Sequence, residues 1–258
     1  MDNPLDSLDH AGRVVLVTGG TKGIGRAIAA RYAGAGATVV VCGRTDPGDT
    51  GGPDFVACDV REAEAVTTLV DTVVERHGRL DVVVNNAGGA PPADTATASA
   101  RFAERIIALN LLAPLLVAQA ANRVMQAQPE GGAIVNIASL SGIRPSPLSA
   151  AYGAAKAGLL NLTQTLAVEW APAVRVNAVI AGLIATEQAD LYYGDEAAQA
   201  RVAATVPAGR LGTGDDVAGA CLFLSSPAAS FVTGAALAVH GGNERPAYLS
   251  AFDPGGGR

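Results

Sequence analysis

Short apolar runs alternate along the chain with longer stretches of helical periodicity. The runs are nearly continuous in Val, Ile, Leu and Ala, which is typical of parallel strands covered on both faces. They predict strands at residues 14–17, 38–42, 54–57, 80–84, 133–137, 175–179 and 236–239. The longer stretches predict helices at residues 24–33, 62–76, 101–126, 151–170 and 215–224. This alternation predicts an α/β protein, a three-layer doubly wound fold around a parallel sheet of about seven strands.

The composition is that of one soluble domain. A chain of 258 residues can bury a full core, and no linker or composition break divides it, so we expect a single domain over residues 1–258. The net charge is −6 without a basic run, which argues against nucleic acid or an anionic membrane as a partner. No run reaches the eighteen apolar residues of a membrane span, and the acidic start of the chain does not resemble a signal peptide. The glycine-rich residues 250–258 are expected to form a flexible tail.

The cysteines and histidines do not form a metal motif. Cys42, Cys58 and Cys221 are far apart in the chain and lack a C-x-x-C spacing or neighbouring histidines. They are predicted to be buried, reduced thiols, which fits a cytoplasmic protein, and no metal is expected. His10 and His77 show no sign of chemistry, and His240 is expected to be a packing or subunit-contact residue, not a catalyst.

A glycine-rich turn follows the first predicted strand. The segment Thr18-Gly-Gly-Thr-Lys-Gly-Ile-Gly25 lies between that strand and a helical pattern. Strand, glycine turn and helix form the context that a dinucleotide-binding turn requires. Glycines let the backbone approach a pyrophosphate, and the N–H groups at the helix start face the anion.

A tyrosine and a lysine are spaced to share one helix face. Tyr152 and Lys156 are four residues apart in a predicted helix, so their side chains leave the same face. A neighbouring ammonium favours a phenolate, so we expect Lys156 to lower the pKa of Tyr152. Such a phenol can give and take the proton of a carbonyl/alcohol pair. Ser139 and Ser141 both follow the preceding apolar run, and the spacing to Tyr152 favours Ser139.

Together these motifs resemble the short-chain dehydrogenase/reductase family, over about residues 12–242. The spacing Thr18-Gly-x-x-x-Gly-x-Gly25 is similar to the cofactor turn of that family, and Asn85-Asn-Ala-Gly88 to its second signature. Ser139, Tyr152 and Lys156 match its catalytic residues, and Asn110 matches the asparagine that completes the tetrad. The resemblance, which includes 3-oxoacyl-carrier-protein reductase-like members, implies a Rossmann fold and a homotetramer or homodimer.

The resemblance also implies roles for individual residues. Tyr152 would transfer the proton, Ser139 would hydrogen-bond the reacting oxygen, Lys156 would hold the nicotinamide ribose, and Asn110 would anchor a water. The cofactor-binding residues that it implies are Gly19, Thr21, Lys22, Gly23, Ile24, Gly25, Arg44, Asp59, Val60, Asn86, Ala87, Gly88, Tyr152, Lys156, Gly182, Ile184 and Thr186. Two positions depart from the family pattern: Ala181 replaces a common proline, and His240 replaces a common aspartate.

Charge at the second strand favours NADP over NAD. NAD-specific members of the family carry an acidic residue there, whereas this chain has Gly43 followed by Arg44, and Lys22 lies in the glycine turn. Two cations without a carboxylate suit a 2′-phosphate. If both are ordinary surface charges, the cofactor is NAD. Asp59 is expected to contact adenine, and with Glu62 it also matches a capping box at the start of a helix.

The substrate is predicted only by class. Residues 186–206 contain no clear strand and are a candidate lid. Arg144 could meet an anion or be solvated, and we expect a small or medium-sized apolar carbonyl compound or secondary alcohol. Three hypotheses follow: an NADP-dependent oxidoreductase with Tyr152 as general acid/base, an NAD-dependent alcohol dehydrogenase, and a catalytically silent dinucleotide sensor or scaffold. The intact tetrad favours the first.

Overall fold

Strands and helices alternate along the part of the chain that the structure describes, as the sequence predicts. A computed structural model of the protein describes residues 8–46, 48, 52–246 and 248, and the predicted tail 250–258 lies outside them. The strands are β1 (Val14–Thr18), β2 (Thr38–Gly43), β3 (Asp54–Ala57), β4 (Val82–Asn85), β5 (Gly132–Ser139), β6 (Val174–Ala181) and β7 (Ala236–Val239). The α-helices are α1 (Gly23–Gly34), α2 (Ala63–His77), α3 (Ala100–Ile107), α4 (Ala113–Met125), α5 (Ala150–Trp170), α6 (Ala189–Tyr193), α7 (Glu196–Thr205) and α8 (Gly214–Ser225).

All seven strands form one parallel sheet. Its order is β3-β2-β1-β4-β5-β6-β7, so the direction of strand addition reverses between β1 and β4. The predicted doubly wound Rossmann fold with seven strands is confirmed. In sheets of this kind, a ligand crevice opens at the carboxyl ends of the strands beside the reversal.

Apolar side chains fill both faces of the sheet. On one face, α2, α4 and α5 pack against the sheet through residues such as Leu69, Val117 and Leu166. On the other face, α1 and α8 contribute Ile28, Tyr32, Val217 and Cys221. Because both faces are covered, the strands carry the nearly continuous apolar runs seen in the sequence.

The predicted helix at residues 101–126 is not continuous. A π-helical turn, Ala108–Leu112, separates α3 from α4, and Pro114 follows it in the first turn of α4. Proline has no N–H to donate, which weakens the helical ladder at this point. By length and composition alone, Ala100–Met125 could cross a membrane. Its α4 half, however, buries Val117, Ala121 and Met125 in the core, as helices of globular proteins do.

The predicted capping box at the start of α2 is wrong. Glu62 occupies the N-cap position and makes no capping hydrogen bond from its side chain. The Asp59 carboxylate instead accepts hydrogen bonds from the backbone and guanidinium of Arg61. The carboxylate is therefore engaged two residues along the chain and does not reach the helix.

Candidate active site

The glycine turn after β1 is held by the second signature. The hydroxyl oxygen of Thr18 accepts hydrogen bonds from Asn86 N and Ala87 N, each at 3.0 Å. The Asn86 amide in turn donates to the carbonyl oxygens of Thr18, at 3.0 Å, and Gly19, at 3.2 Å. Gly19 has φ +64°, a conformation that glycine adopts without strain. The two motifs therefore fix one another across the neighbouring strands β1 and β4.

Two glycines keep this end of the crevice open. A Cβ at Gly25 would clash with the Gly19 carbonyl oxygen and with the Asn86 amide. A Cβ at Gly88 would lie 2.7 Å from Asn110 Oδ1 and 3.4 Å from Lys156 Nζ. Only glycine fits at these positions, which leaves the close backbone approach that a dinucleotide needs. The described residues therefore fit a dinucleotide cofactor.

Ser139, Tyr152 and Lys156 meet at the carboxyl end of β5. Ser139 ends that strand, and its hydroxyl lies close enough to the phenol of Tyr152 to oppose the rise in that phenol's pKa. Lys156 Nζ donates a 2.7 Å hydrogen bond to Ile137 O and lies 5.6 Å from the centre of the Tyr152 ring. Ser141, the rival of Ser139, has its hydroxyl bonded to Ser146 instead.

The prediction that the pKa of Tyr152 is lowered is wrong: in this structure it is raised above its usual value. Burial raises the pKa of Tyr152, the Ser139 hydroxyl opposes this shift, and the neighbouring Tyr192 and Tyr193 add to it. Burial also lowers the pKa of Lys156 to about 8. Loss of water is therefore the dominant influence on both groups, and Lys156 is not among the causes that shift the pKa of Tyr152.

Asn110 lies in the π-helical turn and braces the loop after β4. Its Oδ1 accepts from Gly89 N at 2.8 Å, and its amide donates to Gly89 O at 3.0 Å and to Ile106 O at 2.9 Å. Gly88 lies between this side chain and Lys156. In the structure, then, Asn110 positions the backbone beside Lys156; its expected role in holding a water stays a prediction.

Positive charge surrounds the other end of the crevice. Arg44 follows β2, Lys22 lies in the glycine turn, and both line the same cavity as Arg61. Hydrogen bonds from Arg61, and to a smaller extent the charge of Arg44, hold the pKa of Asp59 below its usual range. A Cβ at Gly43 would have only ordinary contacts, 3.7 Å to Phe55 and 3.8 Å to Thr21. A Cβ therefore fits at the position where the resemblance implies an acidic residue in NAD-specific members.

One cavity of about 960 Å³ joins the two ends. Every residue predicted to bind the cofactor lines it, and so do Ser139, Tyr152 and Lys156. Asn110 does not line it. Several further lining residues were not predicted individually: Thr45 and Arg61 were not expected in the cavity, and Gln188, Leu191 and Tyr193 lie in the predicted lid.

Polar groups line the wall beyond Tyr152. The Ser146 hydroxyl is 2.9 Å from Ser141 Oγ and 2.6 Å from Ser149 Oγ. Arg144 forms an ion pair at 2.7 Å with Glu244, so it is not the free solvated charge that one reading of the sequence allowed. The predicted lid, residues 186–206, contains α6 and α7 and no strand.

A family model, curated relatives and solved structures match most of this chain. The family model described as enoyl-(acyl carrier protein) reductase matches residues 19–244. An uncharacterized short-chain type dehydrogenase/reductase of Sinorhizobium fredii is 37% identical over 95% of this chain, which spans only 45% of that protein. L-rhamnose 1-dehydrogenase (NAD(P)(+)) of Azotobacter vinelandii is 36% identical, covering 89% of this chain and 96% of the relative. A solved structure from Beutenbergia cavernae with NADP bound at low occupancy is 37% identical, with a TM-score of 0.84 over 92% of this chain and 98% of that one.

A doubly wound sheet with this crevice defines an oxidoreductase that uses a nicotinamide dinucleotide. The chain belongs to the short-chain dehydrogenase/reductase family. It is an NAD(P)-dependent enzyme acting on CH–OH groups. The narrower likeness to 3-oxoacyl-carrier-protein reductases finds less support, since the Azotobacter relative is named as a sugar dehydrogenase.

Proposed function

We propose that the protein is an NADP-dependent oxidoreductase in which Tyr152 is the general acid/base for a carbonyl/secondary alcohol pair. The observation that carries this proposal is the single cavity lined by the glycine turn at one end and by Ser139, Tyr152 and Lys156 at the other. A cofactor bound along it would bring its two ends to the phosphate-binding backbone and to the phenol. The silent sensor or scaffold is disfavoured because these three side chains meet.

The proposed reaction divides the work between cofactor and protein. A nicotinamide dinucleotide held along the crevice would supply the hydride for the carbonyl carbon, or accept one from the alcohol carbon. The Tyr152 phenol gives its proton to the carbonyl oxygen, while the Ser139 hydroxyl hydrogen-bonds that oxygen and fixes its position. The buried ammonium of Lys156 stabilises the phenolate that remains, and Asn110 braces the loop beside that ammonium.

NADP is the proposed cofactor because cations surround the place where a 2′-phosphate would lie. Arg44 and Lys22 line that end of the cavity, and Gly43 leaves the position of the family's acidic residue without a carboxylate. An Arg guanidinium can hold a phosphate with two parallel hydrogen bonds, and a carboxylate would repel it.

The cavity wall supports a substrate with several hydroxyl groups. Ser141, Ser146, Ser149 and Gln188 line it, and they offer hydrogen bonds that an apolar compound could not use. The three serine hydroxyls bond one another, and each keeps the capacity for a further hydrogen bond to a substrate hydroxyl. We therefore propose a sugar or polyol substrate in place of the apolar one suggested by the sequence. The L-rhamnose dehydrogenase among the relatives is consistent with this class.

The proposed assembly is a homotetramer, or a homodimer, of a single catalytic domain. An exposed face of α5 carries Ala154, Ala157 and Val168, and small apolar residues allow close approach of a second helix. The proposed location is the cytoplasm, since the three free thiols of Cys42, Cys58 and Cys221 suit a reducing compartment.

Cofactor titration tests the preference for NADP. Fluorescence titration should give an NADPH Kd at least about tenfold lower than the NADH Kd, since tenfold corresponds to about 1.4 kcal/mol and charge-assisted contacts to a phosphate exceed this. Arg44→Ala should weaken the binding of NADPH and leave that of NADH unchanged. Gly43→Asp should make NADH the more tightly bound cofactor. Tighter or equal NADH binding by the unaltered protein would overturn the proposal in favour of NAD.

Turnover tests whether the site is catalytic. A panel of sugars, polyols and simple carbonyl compounds, assayed with NADPH and NADP, should yield measurable turnover on hydroxylated substrates above that on apolar ones. Cofactor binding without turnover on any member of the panel would favour the sensor or scaffold.

A further inference from the structure

The base of the lid contacts the cofactor turn through one carboxylate. Glu187 follows Thr186, the last predicted cofactor-binding residue, and begins the segment that leads into α6. Its Oε1 accepts a 2.9 Å hydrogen bond from Gly23 N, and the same oxygen lies 3.6 Å from the Arg26 guanidinium. The contact joins residues 164 positions apart in the chain.

The N–H group that Glu187 engages is one that a bound dinucleotide needs. Gly23 is the first residue of α1 and has φ +55°, and the N-cap residue Lys22 makes no side-chain capping bond. N–H groups at the start of a helix bind anions, and dinucleotide-binding turns direct them at the pyrophosphate. A carboxylate and a pyrophosphate cannot occupy the same N–H group.

Contacts with the cofactor turn favour the charged form of the Glu187 carboxylate. The hydrogen bond from Gly23 is the largest of the influences that lower its pKa, and Arg26 and Lys22 act in the same direction. The Arg26 contact contributes little by itself, since the two side chains are 66% and 39% exposed. The hydrogen bond to Gly23 is therefore the principal contact of the carboxylate with the turn.

We infer that Glu187 is an internal competitor for the cofactor, since its carboxylate occupies the backbone N–H that the pyrophosphate takes. Binding of the dinucleotide displaces it, and the displacement frees the base of the lid from the cofactor turn. This inference rests on the proposed function, because it requires a dinucleotide in the crevice. It adds Glu187 to the residues that determine cofactor affinity, although no sequence motif includes it.

Two variants and two probes test the competition. Glu187→Gln removes the charge, and Glu187→Ala removes the hydrogen bond as well. Glu196→Gln is the matched control, because that glutamate also belongs to the lid but lies at the start of α7. The probes are NADPH, which carries a pyrophosphate, and adenosine 2′-monophosphate, which lacks one.

The expected result is a selective gain of affinity. Both Glu187 variants should lower the NADPH Kd by about threefold to tenfold, the range for one anion at a helix N-terminus. Their Kd for adenosine 2′-monophosphate should stay within about twofold of the unaltered protein, as should both Kd values of Glu196→Gln.

Different failures lead to different conclusions. An NADPH Kd that is unchanged or higher in both Glu187 variants overturns the competition and leaves the proposed function intact. Equal tightening of both probes also overturns it, because a general charge effect would then explain the gain. If the unaltered protein binds neither probe, the proposed function fails and the inference fails with it.

Discussion

Burial determines the protonation of the two side chains proposed for catalysis. The pKa of Tyr152 is raised and that of Lys156 is lowered to about 8, both mainly because water is excluded. At pH 7 the chain alone therefore presents a neutral phenol beside an ammonium that is still charged. A neutral phenol is the form that protonates a carbonyl oxygen, so the site suits reduction without prior activation. Oxidation of an alcohol requires the phenol to lose its proton first.

Burial of His10 also makes the free energy of unfolding depend on pH. This fully buried imidazole hydrogen-bonds Ser225 at 2.9 Å, and Ser225 in turn lies 2.7 Å from the Tyr32 hydroxyl. Burial is the main cause that lowers the pKa of His10 below 6.5. The folded state therefore holds the neutral form, and its stability is complete above pH 6.5 and declines as the pH falls through the folded-state pKa.

Replacing His10 by Gln should flatten this decline. For the unaltered protein, urea unfolding should show the free energy of unfolding falling by up to about 1 kcal/mol between pH 7 and pH 5.5. The variant should be less stable at pH 7, because the packing of the imidazole is lost, but should vary less with pH. If its slope equals that of the unaltered protein, His10 is not the group responsible.

The sequence could predict those site residues whose contacts lie within a short motif, and it missed those that contact residues far away in the chain. Gly19, Gly25 and Asn86 belong to motifs whose spacing reflects one strand, one turn and one helix, so the sequence alone indicates them. Glu187 was missed because its contact with Gly23 crosses 164 residues and has no motif. Asp59 was placed in a capping box because spacing cannot reveal the competing hydrogen bonds from Arg61.

At the scale of elements, the interruption of the helix after β4 positions Asn110. Periodicity predicted one helix over residues 101–126, because a single π-helical turn adds only one residue to a turn and leaves the apolar pattern legible. The structure instead ends α3 at Ile107 and begins α4 at Ala113. The intervening turn directs the amide of Asn110 at Gly89. Deviations of this kind occur frequently at functional sites.

The start of α1 gives a prediction about cofactor binding. Gly25→Ala should weaken NADPH binding by more than about tenfold, since the added methyl group clashes with the backbone of the glycine turn and with the Asn86 amide. Gly34→Ala in the same helix is the control, because its Cβ would meet nothing within 4 Å.

Gly34→Ala should leave NADPH affinity unchanged and stabilise the fold by about 0.5–1 kcal/mol. Fluorescence titration measures the affinities, and urea unfolding measures the stabilities. Similar NADPH Kd values for the two variants would contradict the assignment of the turn as the phosphate-binding element.

At the scale of the whole molecule, the alternation of strand patterns and helix patterns was sufficient to predict the three-layer fold. Each of the seven predicted strands is confirmed to within about two residues at either end. The burial of both faces follows from the helices that connect parallel strands, which the alternation of elements already implies, whereas the strand order was not predicted. Subunit interfaces could not be predicted in this way, because a helix face that contacts a second copy of the chain has the same composition as an ordinary half-buried helix. Val168, for example, is 81% exposed in one copy of the chain, and no sequence signal marks it.

The proposed assembly predicts how that surface responds to charge. Val168→Arg should lower the mass measured by light scattering below that of the unaltered protein, because a buried unpaired guanidinium opposes helix contact across the interface. Thr67→Arg, on the exposed face of α2, is the control and should leave the mass unchanged. A monomeric mass for the unaltered protein would refute the homotetramer and the homodimer alike.

The central claim is that the phenol of Tyr152 transfers the proton while the rest of the cavity binds the cofactor. The most direct measurement compares the single-turnover rate of NADPH oxidation by an accepted carbonyl substrate in the unaltered protein and in Tyr152→Phe. The rate in Tyr152→Phe should be lower by about 10²–10⁴-fold, the usual contribution of a general acid, and its NADPH Kd should stay within about twofold. A variant that keeps more than about a tenth of the rate, or that loses NADPH binding as well, would contradict this claim.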